Sequence, residues 1–126
     1  GEPHPFSSRN VLKRVLALYE KDGLRPIIAP EMEFYLVEKN PNPGLPLKPP
    51  IGRSGRPETA RQSYSIDAAN EFEPFVERMY GYCEAMNLDI DTLIHESGAA
   101  QLEVTFIHGE PLSLADQVFT FKRTVR

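Results

Sequence analysis

Between Lys39 and Ser63 the chain carries six of its twelve prolines (Pro41, Pro43, Pro46, Pro49, Pro50, Pro57), together with Gly44, Gly52 and Gly55. Proline removes the backbone donor that a helix or ladder needs, and glycine raises the entropy lost on ordering. Residues 39–63 therefore read as an extended or mobile loop, either a disordered linker or a loop that moves over a ligand. Regular structure has to be built on either side of it.

Before the loop, Val11, Leu12, Val15, Leu16 and Tyr19 recur at spacings of three and four, the stripe of an amphipathic helix over residues 9–22. Ser8 is its expected N-cap and Gly23 its left-handed stop. Residues 1–8 read as a disordered lead-in. A strand follows over about Pro26 to Glu38, with Met32, Phe34 and Leu36 on one face and Glu31, Glu33, Tyr35 and Val37 on the other. After the loop, Phe72, Phe75, Val76, Met79, Tyr80, Cys83 and Met86 form a second helical stripe from about Asn70, with Pro74 in the first turn. Two strands, Ile90–Glu96 and Gln101–His108, flank the small-residue turn Ser97-Gly98-Ala99-Ala100. A last helix opens near Pro111 and Ser113. The order implies an α+β fold, a mixed or antiparallel sheet with helices packed on one face.

The 126 residues suit one compact domain, and the net charge of −4 gives no basic footprint for nucleic acid. No apolar run approaches the length of a membrane span, and no signal-peptide pattern is visible. Cys83 is the only cysteine, which fits a reducing compartment, and a cytoplasmic location is the expectation. The start at Gly1 and the stop inside an apparently unfinished helix read as an excised piece of a longer protein. His108, at a strand end, and Cys83, on an apolar stripe, read as a surface and a core residue.

Four carboxylates stand out. Glu31 and Glu33 share one strand face about 6.5–7 Å apart. Taken alone, that pair fits a solvated face as well as a site. Glu96 and Glu103 flank the small-residue turn and converge if their strands pair. Four unpaired carboxylates on one patch repel and raise one another's proton affinity. A hard divalent cation such as Mg²⁺ or Mn²⁺ would relieve that repulsion.

The segment Ala29-Pro30-Glu31-Met32-Glu33-Phe34-Tyr35-Leu36 resembles the first glutamate motif of the glutamine synthetase family. His95-Glu96-Ser97-Gly98-Ala99-Ala100-Gln101-Leu102-Glu103-Val104 resembles the second, and the run from Pro111 to Lys122 resembles the helix that follows. The resemblance covers nearly the whole chain from about residue 9, and its second half is worded more like the γ-glutamyl-polyamine synthetase branch than the ammonia-using one. It implies that residues 9–126 are the N-terminal part of a glutamine synthetase-like catalytic domain. In that reading Glu33, Glu96 and Glu103 hold a divalent metal beside the glutamate substrate, with Glu96 as the catalytic carboxylate, and Glu31 holds a second metal beside the ATP phosphates. Glu33, Glu96 and Tyr64 border the substrates, Tyr64 on the amine side. Two to three Mg²⁺ or Mn²⁺ ions per complete site, ATP as co-substrate, glutamate, an amine and a homo-oligomeric full-length protein are implied.

The implied reaction makes γ-glutamyl phosphate, which an amine converts to an amide. Two departures stand against the family pattern. Ile94 and the single His95 replace a pair of histidines, and Ala100 replaces the usual glycine. The family's later histidine and arginine motifs are not among these residues, so the isolated chain is expected to be inactive. A non-catalytic relative, or an assembly or regulatory fragment, is the competing reading.

Overall fold

The computed structural model describes residues 4–126; the expected lead-in therefore falls partly outside the described residues. Four helices and three strands run α1 (Ser8–Lys21), β1 (Glu31–Tyr35), α2 (Ile66–Asn70), α3 (Glu73–Ala85), β2 (Ile90–His95), β3 (Gln101–Phe106) and α4 (Pro111–Thr124). The class is α+β, and the sheet is antiparallel throughout, in the order β1-β3-β2. The strand expected over residues 26–38 shortens to its middle, because Pro26 and Pro30 cannot donate to a ladder. Backbone pairing continues beyond it only in isolated bonds, such as Ile28 N–H to the Gly109 carbonyl at 3.1 Å.

Alternation along β3 decides which side of the sheet is the core. Leu102, Val104 and Phe106 are all at most 1% exposed. Val104 and Phe106 pack with Met79 and Cys83 of α3, with Leu114 and Phe121 of α4, and with half-buried Met32 and Phe34 of β1. Phe121 is the hub, in edge contact with Phe106 (5.5 Å between centroids) and Phe34 (6.1 Å). Helices α3 and α4 cover this face; the other carries the polar members of β1 and β3. Cys83 is a core residue and His108 is exposed, as read from the sequence.

Helix ends follow local chemistry, with three differences from expectation. The first helix begins one residue early, so Ser7 rather than Ser8 is the N-cap, while Gly23 adopts φ +71 as expected of its stop. The stripe of α1 finds little to pack on, and no residue of that helix is buried. Its firmest tie is a two-pronged bond from Arg9 to Asp116 of α4. A short helix, α2, precedes the expected one. Ser65 caps it by accepting from Ala68 N–H, and Pro74, lacking an N–H, forces a fresh start at α3. At α4 the cap is Glu110, whose carboxylate accepts from Leu112 and Ser113 N–H and is held below the usual carboxylate range by those bonds.

The Pro/Gly-rich stretch has no helix or strand of the sheet, yet it is fastened. Ile51 bridges Pro57, Arg53 N–H donates to the Glu71 carbonyl, and Ser54 N–H donates to the Glu71 carboxylate. From the aromatic hub, Phe121→Ala is expected to cost about 3–5 kcal/mol, read as a lowered urea midpoint. A loss below about 1 kcal/mol would mean that α4 is not packed as described.

Candidate functional site

The open face of the sheet is where the four carboxylates lie. In the β1–β3 ladder Glu33 stands directly opposite Glu103 and Glu31 opposite Thr105. Partners across an antiparallel pair bring their Cβ atoms within about 4.5–5.5 Å, so Glu33 and Glu103 face one another as like charges. On the other side of β3, Ile94 pairs with Glu103, and Glu96 N–H donates to the Gln101 carbonyl at 2.8 Å. That bond carries Glu96 onto the same face, one pleat beyond Ile94.

Glu103 feels this arrangement most. It sits on the central strand and is 9% exposed. Burial pushes its carboxyl above the ordinary carboxylate range, and the neighbouring charges of Glu31, Glu96 and Glu33 push the same way against a hydrogen bond to Thr105. None of the four carboxylates has a cationic partner among the described residues.

Their other contacts are polar and neutral. Gln101 Nε2 donates to Glu33 Oε2 at 2.7 Å, while Gln101 Oε1 accepts from the Tyr35 hydroxyl at 3.0 Å and from Gly98 N–H at 2.8 Å. Gly98 leaves room for this contact, since a Cβ there would collide with the Tyr35 hydroxyl. Glu96 Oε2 accepts from Ser97 N–H at 3.1 Å.

The donor set is all carboxylate oxygen, which suits a hard divalent cation. As the side chains stand, however, no three His, Cys, Asp or Glu residues among those described form a ready metal-binding group. Glu31 and Glu33 are exposed and Glu96 is half-buried, so the face is open rather than a closed cage.

Tyr64 lies beside this face rather than on it. Its N–H donates to the His95 carbonyl at 2.7 Å, and Ser63 donates to the Ser97 hydroxyl at 3.0 Å. Its side chain is 72% exposed, at the rim of a cleft of about 320 Å³ that also takes in Ser65, Ile66, Ile94 and His95. Tyr64 (φ 61) and Ala100 (φ 55) both adopt the left-handed backbone, at a cost of about 1 kcal/mol or more each. Strain of that kind collects at functional sites, and a glycine at position 100 would adopt this conformation without it.

One group escaped the sequence reading. Glu58, from the Pro/Gly-rich loop, is 9% exposed. Its Oε2 meets His95 Nε2 at 2.9 Å and accepts from Ala100 N–H at 2.8 Å. His95, 1% exposed, sends Nδ1 to the Glu96 carbonyl at 2.7 Å. No sequence spacing signals a contact across 37 residues; a carboxylate amid prolines was the only hint.

Residues 5–126 match the family model described as glutamine synthetase, catalytic domain. This chain belongs to the glutamine synthetase family. Its relatives include a glutamine synthetase of Pyrococcus horikoshii, 32% identical over all of this chain and 26% of that protein. The gamma-glutamylputrescine synthetase of Escherichia coli strain K12 is 30% identical over all of this chain and 27% of that protein. The chain thus spans about a quarter of the length of these curated relatives. Among solved structures, a crystal structure described as a novel glutamine synthase homolog superposes with a TM-score of 0.73 at 24% identity, covering all of this chain and 26% of that one. GmaS in complex with ADP gives 0.75 at 22% identity, covering 99% and 27%. At such identities the structural likeness speaks for the fold.

The raised Glu103 carboxyl has a direct consequence. The folded chain holds that proton more tightly than the unfolded one, so its stabilising contribution is complete below the ordinary carboxylate pKa and is lost as pH rises through the raised value. Glu103→Gln should therefore stabilise the chain at pH 7 by about 0.5–1 kcal/mol, the scale of relieving a like-charge cross-strand pair. The gain should shrink towards pH 4 in urea titrations of both proteins; a gain independent of pH would contradict the electrostatic origin.

Proposed function

We propose that this chain is the carboxylate-bearing part of an ATP-dependent ligase that joins the γ-carboxyl of glutamate to an amine through γ-glutamyl phosphate. The observation that carries the reading is the facing of Glu33 and Glu103 on the open side of the sheet, with Glu31 and Glu96 beside them and no cationic side chain among the described residues paired with any of the four. Repulsion that natural sequences ordinarily avoid is kept where an ion or substrate resolves it.

In this reading Glu33, Glu96 and Glu103 hold one Mg²⁺ or Mn²⁺ beside the glutamate, and Glu31 holds another towards the ATP phosphates. When bound, such ions supply neutralisation of charge on the transferring phosphoryl group. The protein's own part is positional. Gln101 orients Glu33, the β2–β3 ladder sets Glu96 against Glu103, and the strained backbone at Tyr64 presents its ring on the amine side. A carboxylate is a poor electrophile until one oxygen leaves as phosphate, so bringing ATP and glutamate to one carboxylate face is the demanding step. Relatives named glutamine synthetase and gamma-glutamylputrescine synthetase match at 32% and 30% identity. The wording around His95 and Glu96 favours a polyamine or small primary amine as acceptor, and a homo-oligomer working in the cytoplasm completes the proposal.

ADP release by the complete protein carrying this segment tests it. With glutamate, ATP and Mg²⁺, release should depend on one member of a panel containing ammonia, putrescine and simple alkylamines. Glu33→Gln and Glu96→Gln should each lower it about 100-fold or more. Absence of amine-dependent release across the panel would leave the non-catalytic reading standing.

A further inference from the structure

We propose that Glu58 is a positioning residue for the carboxylate face, acting through His95 to hold the backbone of Glu96 and the turn that follows. The proposal rests on the reading of that face given above. Three bonds make the link: Glu58 Oε2 to His95 Nε2 at 2.9 Å, the same oxygen to Ala100 N–H at 2.8 Å, and His95 Nδ1 to the Glu96 carbonyl at 2.7 Å. A carbonyl can only accept, so Nδ1 carries a proton, and a second proton lying between Nε2 and Oε2 closes the chain. One carboxylate oxygen thus ties down both ends of the turn that sets Glu96 and starts β3 at Gln101, the residue that orients Glu33.

Two features separate this from ordinary packing. Glu58 Oε1 is buried with no hydrogen-bond partner among the described residues, a cost that an apolar side chain at this position would avoid. And Ala100, one of the two residues whose N–H or ring Glu58 engages, is held in the left-handed conformation at φ 55. The loop therefore reaches in with a charged group at a point where the backbone is already strained, next to the candidate ligand Glu96. Groups that orient metal ligands from behind typically change metal affinity 10–100-fold when removed.

Mn²⁺ binding to the complete protein, followed by electron paramagnetic resonance, tests the proposal. Glu58→Gln can present either an oxygen to Ala100 N–H or an amide N–H to His95, and so loses one of the two bonds. His95→Asn keeps a donor for the Glu96 carbonyl but does not reach Glu58; it carries the same test should Glu58→Gln not fold. Each should weaken Mn²⁺ about tenfold, and the double variant should lose little more than either single one. Hydrogen exchange at the Ala100 and Gln101 amides should quicken in both. Glu110→Ala, which removes the cap of α4 far from the turn, serves as a destabilised control and should leave Mn²⁺ affinity unchanged. Wild-type affinity in Glu58→Gln and His95→Asn, or equal weakening in Glu110→Ala, would reduce Glu58 to a structural clamp and overturn the proposal. Failure of the unmutated protein to bind Mn²⁺ would instead overturn the carboxylate reading on which it stands.

Discussion

Glu33 and Glu103 face each other across the β1–β3 ladder, and Glu31 and Glu96 crowd the same side of the sheet. Like charges directly opposite cost a sheet stability, and burial of Glu103 on the central strand makes it worse. A three-stranded sheet with only 126 residues of chain around it has little stability to spare. What keeps the arrangement in place is the opposite face. Leu102, Val104 and Phe106 are buried, the last two against α3 and α4, and because side chains alternate, burying them sends Gln101, Glu103 and Thr105 outward. A slip of one residue in register would bury the acids and expose the core. The hydrophobic core therefore dictates the electrostatics of the open face.

The flanking structure then refines that face. Gln101 links Glu33, Tyr35 and Gly98 into one polar cluster, and the Glu58–His95 pair fastens the turn beneath Glu96. Segment 62–65 is drawn alongside through Tyr64 and Ser63. Such an arrangement orders backbone more firmly than it orders the carboxylates themselves, of which Glu31 and Glu33 remain exposed and no three form a ready metal-binding group among the described residues. Closing such a face into a cage takes groups from elsewhere, in keeping with a chain that spans about a quarter of its relatives' length.

Much of this could be read from residue order because it is governed by short-range rules. Alternation along residues 31–36 and 101–106 announced both strands and their polar sides, and Gly23 and Pro74 marked a helix end and a helix start through their backbone constraints. The four glutamates could be named because their neighbours resemble family motifs. What escaped was set by tertiary contact or by competition between near-equivalent caps. Ser7 and Ser8 are adjacent candidates, and only the helix geometry separates them. Glu110 acts as a cap where Pro111 and Ser113 had drawn attention. The short helix α2 depends on Ser65 folding back onto Ala68. The stretch rich in proline and glycine read as an extended or mobile loop, and nothing in its composition foretold that Glu58 would be buried against His95.

Whether the acidic side of this sheet gathers divalent cations is decided by anomalous scattering from crystals of the complete protein grown with Mn²⁺. A manganese peak bonded to oxygens of Glu33, Glu96 and Glu103, at about 2.0–2.3 Å, is expected, with a second peak beside Glu31. Manganese bound elsewhere, with these four side chains turned into solvent and touching no ion, would contradict it.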